Sequence, residues 1–191
     1  NIVEGLDVVS ENLPWAGSAV VGIWIEVGSR DEAAEHNGLA HLYEHMVFKG
    51  TENRSALELV YELESKGGYL NAFTSRENTC FYARVMADEF DKATEIICDL
   101  IANPKFDAED FAKEKEVVLE EVRSVDDSPD EAIHELYSKG LWGDTGLGRP
   151  IAGTEESVSK LSLEDLKSWQ HDVLNKQRIV IAAAGQVDHE H

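Results

Sequence analysis

Apolar and polar positions change their rhythm several times along this chain, and each change marks an element. The segment "GLDVVSENLP" and the Val/Ile/Trp run in "SAVVGIWIEVGS" read as two strands, the second ended by Gly28 and Ser29. The period then lengthens. From Asn37 and Gly38 to about Phe48, apolar residues recur every three to four positions, which predicts a helix stopped by Gly50. Ser55 to Lys66 carries the same period and closes at the Gly67-Gly68 pair, whereas "YLNAFTS" and "NTCFYARVM" predict paired strands across a short turn at Arg76 and Glu77. Further helices are predicted over Asp88 to Ala102, Asp107 to Val125 and Asp130 to Leu141. A Gly-rich loop, "WGDTGLGRPIAGT", then leads to a helix from Ser162 to Leu174 and a last strand, "RIVIAAAG". This order predicts an α+β fold, an antiparallel or mixed β-sheet covered by helices on one side, without internal repeats.

Length and charge narrow the picture. With 191 residues, 42% of them hydrophobic, the chain suits a single domain over residues 1–191 with a substantial core. Its apolar runs fall short of the roughly 18 residues of a membrane span, and its start lacks a signal-peptide pattern, although Asn1 in place of Met leaves room for a removed leader. Thirty-eight acidic residues against 17 basic ones give a net charge of −21, which repels nucleic acid and anionic membranes and admits a cationic partner. Most of that charge is expected to be a solvated surface. Cys80 and Cys98 fall in different elements without CxxC spacing, which points to reduced thiols in a cytoplasmic compartment, with mitochondrial matrix and periplasm also open. His189 and His191, in the closing "QVDHEH", are expected at a frayed end.

The candidate chemistry lies in "HLYEHMVFKGT". At about 100° per residue, His41, Glu44 and His45 share one helix face, and Leu39, Leu42, Tyr43, Met46 and Val47 occupy the other. Two imidazoles at i and i+4 can grip Zn²⁺, and the glutamate between them can accept a proton from water; H-x-x-E-H is the inverted zinc-protease signature. Catalytic zinc needs a third protein ligand. In "DAEDFAKEKEVVLEEVRSV", with Phe111 at zero, Val117, Val118, Val122 and Val125 fall at about 240°, 340°, 20° and 320°. Glu114 and Glu121, at about 300° and 280°, lie within that apolar arc, while Glu116 and Glu120 lie at about 140° and 180°. Carboxylates on a buried stripe need a charge or metal partner, so Glu121 and Glu114 are the candidates and Glu120 is a solvated control.

Taken in order, "HLYEHMVFKGT", "GGYLNAFTSRENTCFYARV" and "EKEVVLEEV", together with "VGIWIEVGSRDE" and "GRPIAGT", resemble the catalytic half of pitrilysin/insulysin metallopeptidases, in the branch of mitochondrial processing peptidase. The resemblance implies a zinc metalloendopeptidase with one Zn²⁺ on His41, His45 and Glu121, Glu44 as general base, and Glu114 orienting a ligand histidine. It implies that Asn71, Ala72 and Phe73 sit on an edge strand that binds substrate backbone, the substrate being a peptide or unfolded polypeptide. Arg149, in the Gly-rich loop, is expected in a structural salt bridge. Members of this family are dimers or two-half clamshells, so a homologous second half, in cis or in trans, is the implied partner and this chain corresponds to a fragment. The alternative is a non-catalytic partner subunit of the same fold.

Overall fold

The computed structural model describes residues 6–176 and 179–189. Five strands form one mixed sheet in the order β1-β5-β2-β4-β3, from β1 (Leu6–Asn12), β2 (Ser18–Ile25), β3 (Tyr69–Thr74), β4 (Thr79–Met86) and β5 (Ile179–Gly185). β5 lies parallel to β1 and antiparallel to β2, and the other pairings are antiparallel. β3 and β1 are therefore the two edges. Arg178, which begins the predicted "RIVIAAAG" strand, and His191 lie outside the described residues.

Alternation along the strands decides which face the helices take. On β2, Ala19, Val21, Ile23 and Ile25 are buried, whereas Val20 and Trp24 are exposed. The buried face packs with Leu42, Tyr43 and Met46 of α1 (Leu39–Val47), Leu59 and Leu63 of α2 (Ala56–Glu64) and Ile96, Ile97 and Leu100 of α3 (Phe90–Ala102). All of these are at most 1% exposed. Burial of each such side chain contributes roughly 1.5–3 kcal/mol.

The remaining helices are α4 (Ala108–Asp127), α5 (Pro129–Trp142), α6 (Glu155–Lys160) and α7 (Leu163–Lys176). α4 starts where the Asp107 side chain accepts from the N–H groups of Glu109 and Asp110. α5 stands away from the core with Leu136 and Tyr137 exposed. α6 was not expected from the sequence. It has only six residues, too few to show a period, and its sole local signal is the reciprocal cap between Thr154 and Ser157. α2 ends two residues before the predicted Lys66, because Gly67 takes a left-handed conformation (φ 80°) and Gly68 N–H returns to the Leu63 carbonyl at 2.9 Å. His189, expected at a frayed end, instead bonds Ser10 Oγ through Nδ1 at 2.7 Å.

Candidate metal centre

α1 turns two faces to two environments. Leu42, Tyr43, Met46 and Val47 are at most 1% exposed, while His41, Glu44 and His45 are only partly buried and look toward α4 and β3. α4 presents its own stripe in return. Phe111, Glu114, Val118, Leu119 and Val122 are buried, so the stripe is turned toward Leu119 relative to the sequence expectation and Val117 is 42% exposed. Glu121 consequently sits at the stripe's margin, its side chain 45% exposed, where helix meets cleft.

Glu121 Oε2 accepts from His41 Nε2 at 2.9 Å and lies 3.5 Å from His45 Nε2. All three ligand atoms lie within 4.8 Å of one another. A tetrahedral zinc with bonds of about 2.0–2.1 Å needs ligand atoms roughly 3.3 Å apart, so this donor set fits such an ion with small side-chain adjustments. His41 holds the Glu121 carboxyl below the usual carboxylate range by its hydrogen bond, helped by the charges of both histidines. An ionised carboxylate is the form a metal requires.

The surrounding residues fix orientation. His45 Nδ1 donates to Glu114 Oε2 at 3.2 Å, which leaves Nε2 directed at Glu121. Lys49 Nζ, one turn further along the chain, meets the other Glu114 oxygen at 2.6 Å and balances its charge. Glu44 Oε2 lies 4.0 Å from His41 Nδ1 and accepts from Thr74 Oγ1, at the end of edge strand β3. Glu120 points elsewhere, its side chain 72% exposed and ion-paired to Arg123.

Asn71, Ala72 and Phe73 lie on β3, beside the histidine face. Ala72 N–H does not bond β4; it donates to the Asn71 side-chain carbonyl at 2.8 Å, and so faces the open edge. Phe73 projects to the helix-free face against Trp24, ring centroids 5.5 Å apart. A cleft of about 920 Å³ runs from His41, Glu44 and Glu121 past Thr74 to α5 and the Gly-rich loop at Pro150–Thr154. Both cysteines are free, and burial pushes the Cys80 thiol up to about 12 and Cys98 upward as well.

Three participants carry no sequence signal of their own: Thr74, Lys49 and Glu32. Glu32 is 4% exposed, and its carboxylate accepts from Gly38 N (2.9 Å), Ala40 N (2.7 Å) and Asn37 Nδ2 (2.9 Å) at the start of α1. Arg149, expected in a salt bridge, instead donates to the main-chain carbonyl of Glu32 at 2.6 Å. Burial pushes the Glu32 carboxyl up to about 7 against the lowering effect of these hydrogen bonds and of the Arg149 charge.

A family model described as insulinase (peptidase family M16) matches residues 7–155. An uncharacterized zinc protease of Bacillus subtilis is 41% identical over 183 residues, covering 96% of this chain and 45% of that protein. A probable mitochondrial-processing peptidase subunit beta of Arabidopsis thaliana is 40% identical over 97% of this chain and 35% of its own length. The chain thus spans under half the length of these curated relatives. Among solved structures, a protease from Helicobacter pylori superposes with a TM-score of 0.93 at 26% identity, over 99% of this chain and 46% of that one. A peptidase M16 inactive domain from Pseudomonas fluorescens shares the fold alone, with a TM-score of 0.89 at 17% identity over 99% of this chain and 46% of that one. Among the described residues, no helix is long and apolar enough to cross a membrane. By the match over residues 7–155 and by these relatives, the chain belongs to the insulinase family, peptidase family M16.

Proposed function

We propose that this chain is the catalytic domain of a zinc metalloendopeptidase acting on peptides or unfolded polypeptides. The observation that carries the reading is the meeting of His41 Nε2, His45 Nε2 and Glu121 Oε2 with Glu44 beside them. His41, His45 and Glu121 would hold the zinc, which would supply Lewis acidity toward a peptide carbonyl and toward water. Glu44 is placed to take a proton from the water whose oxygen bonds the peptide carbonyl carbon and to return it to the amine as the C–N bond breaks, while Thr74 keeps the carboxylate aimed. Glu114 holds His45 in the tautomer that presents Nε2, and Lys49 steadies Glu114 through the ion pair to its other oxygen.

Substrate is laid along β3 as an added strand, with Asn71, Ala72 and Phe73 binding its backbone. The edge position of β3 and the outward N–H of Ala72 support this; the Asn71 side chain releases that N–H as the peptide arrives. A homologous second half, in cis or in trans, closes the open side of the cleft and excludes water. A chain that spans under half of its relatives' length supports such a partner. A non-catalytic subunit would be expected to lack part of the set, and here every member is in place.

Metal analysis of the chain purified at neutral pH without chelator should find about one zinc, and a content near zero refutes the reading. Glu44→Gln should keep the metal and lower peptide cleavage by roughly 10²–10⁴-fold, because only the proton acceptor is lost. Glu121→Gln should lose metal as well, since an amide is a poorer zinc ligand than a carboxylate.

A further inference from the structure

The segments "VGSRDE" and "GRPIAGT" take no part in the proposed chemistry, yet they meet at the start of α1. There the helix has an uncommon beginning. Its N-cap is Gly38, in a left-handed conformation (φ 99°) and without any side chain to cap the first turn. The loop packs too closely to allow one, since a Cβ on Gly38 would stand 2.6 Å from the Ala152 carbonyl oxygen. Glu32, six residues upstream, does the capping instead through its bonds to Gly38 N and Ala40 N. Asn37 Nδ2 bridges Glu32 Oε2 and the Pro150 carbonyl, both at 2.9 Å, and Arg149 holds the main chain of Glu32.

We propose that Glu32 is the positioning residue of the metal centre: by gripping the first turn of α1 against the Gly-rich loop, it sets the phase at which His41 and His45 meet Glu121. The proposal rests on the metal-binding reading above. Ala40, whose N–H Glu32 holds, precedes His41 in the chain, so any slackening of the first turn swings the His41 ring directly. Two imidazoles and a carboxylate from separate helices grip an ion tightly only when their spacing is preset, because reorganisation on binding subtracts from affinity. Glu32 touches neither the ion nor the substrate; its influence passes through the backbone. Glutamine at this position keeps the size of the side chain but turns an NH₂ group toward N–H donors, leaving at least one of them without an acceptor.

Cobalt(II) titration of the 191-residue chain tests this, because the visible bands of a tetrahedral cobalt site report geometry as well as occupancy. Glu32→Gln should bind cobalt at least tenfold more weakly than the parent and with altered bands, while Glu32→Asp should recover part of the loss. Asp99→Asn serves as control, since it loosens an equally buried carboxylate cluster far from the first turn. It should keep cobalt affinity within threefold despite lower stability. Equal affinity and identical bands in Glu32→Gln and parent overturn the proposal while leaving the metal site intact. An equal loss in Asp99→Asn and Glu32→Gln also overturns it, because general destabilisation then accounts for the effect. A parent that binds no cobalt brings down the metal-binding reading and this inference with it. If Glu32→Gln fails to fold by circular dichroism, Asn37→Ala takes its place: a threefold or larger loss supports the proposal and unchanged affinity overturns it.

Discussion

Two buried carboxylates flank the histidine-bearing helix α1 along the chain, and they are held on different terms. Before its start, Glu32 accepts from two backbone N–H groups and one amide, all neutral. Beyond its end, Asp99 on α3 accepts from Thr51 Oγ1 (2.7 Å), Asn53 Nδ2 (2.6 Å), Asn103 Nδ2 (3.0 Å) and the Arg54 guanidinium (2.7 Å). Burial raises both groups. At Asp99 the four donors overcome that effect and hold the carboxyl at about 2; at Glu32 three neutral donors and a positive charge acting through space do not, and it rises to about 7. Depth and the set of direct donors together decide the state of a buried acid. Thr51, Asn53 and Asn103, joined by the Arg54 charge, keep Asp99 ionised beyond the end of α1, whereas the fewer donors of Glu32 leave its beginning responsive near neutral pH.

The largest expected effect comes from breaking the charged cluster. Asp99→Asn leaves Arg54, whose side chain is 11% exposed, without its most deeply buried anion. Loss of one member of a buried pair costs about 3–5 kcal/mol, and because Arg54 keeps Glu95 and Glu62 we expect the lower figure, about 3 kcal/mol. Urea unfolding with an unchanged slope measures it. A loss below about 1 kcal/mol would erase the distinction between the two ends.

The next effect is a pH dependence of opposite sign at each carboxylate. Glu32 has a raised carboxyl, so between about pH 4.5 and 7 the unfolded chain is ionised there while the folded chain keeps the proton. Its contribution is fully present below pH 4.5, falls as pH rises, and levels off above 7. The rise from 4.5 to about 7, which already includes the favourable N–H groups of the helix start, corresponds to at most about 3 kcal/mol. Asp99 behaves in reverse: its contribution is present above 3.8 and lost as pH falls toward 2. The stability difference between parent and Glu32→Gln, followed by urea unfolding of the metal-free chain, should decline from pH 4.5 to 7. A flat difference would show that the two ends are alike.

This contrast also marks what a reader of the sequence can and cannot see. His41, Glu44 and His45 are legible because their spacing is local, and α1 declares itself by the period of Leu42, Tyr43, Met46 and Val47. Glu121 and Glu114 are legible by phase, although the buried stripe of α4 proves to be centred closer to Leu119, which leaves Val117 in solvent. Asp99 carries the same signal, an acid among Ile96, Ile97 and Leu100. Glu32 carries none, because its partners are two backbone N–H groups and an amide, which no charge pattern announces. Arg149 misleads for the same reason: its partner is a main-chain carbonyl 117 positions away. Residues that act through backbone groups remote in sequence become visible only when the chain has closed.

Glu120 supplies the third point on the scale and the smallest effect. It neighbours Glu121 and carries the same side chain, but the helical turn of about 100° carries it away from the histidines. It is 72% exposed and its partner Arg123 also pairs with Glu155, so solvent screens the pair and Arg123 keeps a counter-charge if Glu120 is neutralised. Glu120→Gln should therefore shift unfolding stability by no more than roughly 0.5 kcal/mol. Zinc content should stay within error of the parent, under conditions in which Glu121→Gln loses it. If Glu120→Gln releases the metal and Glu121→Gln retains it, the phase of α4 is wrong by one residue, and the carboxylate that completes the site is Glu120.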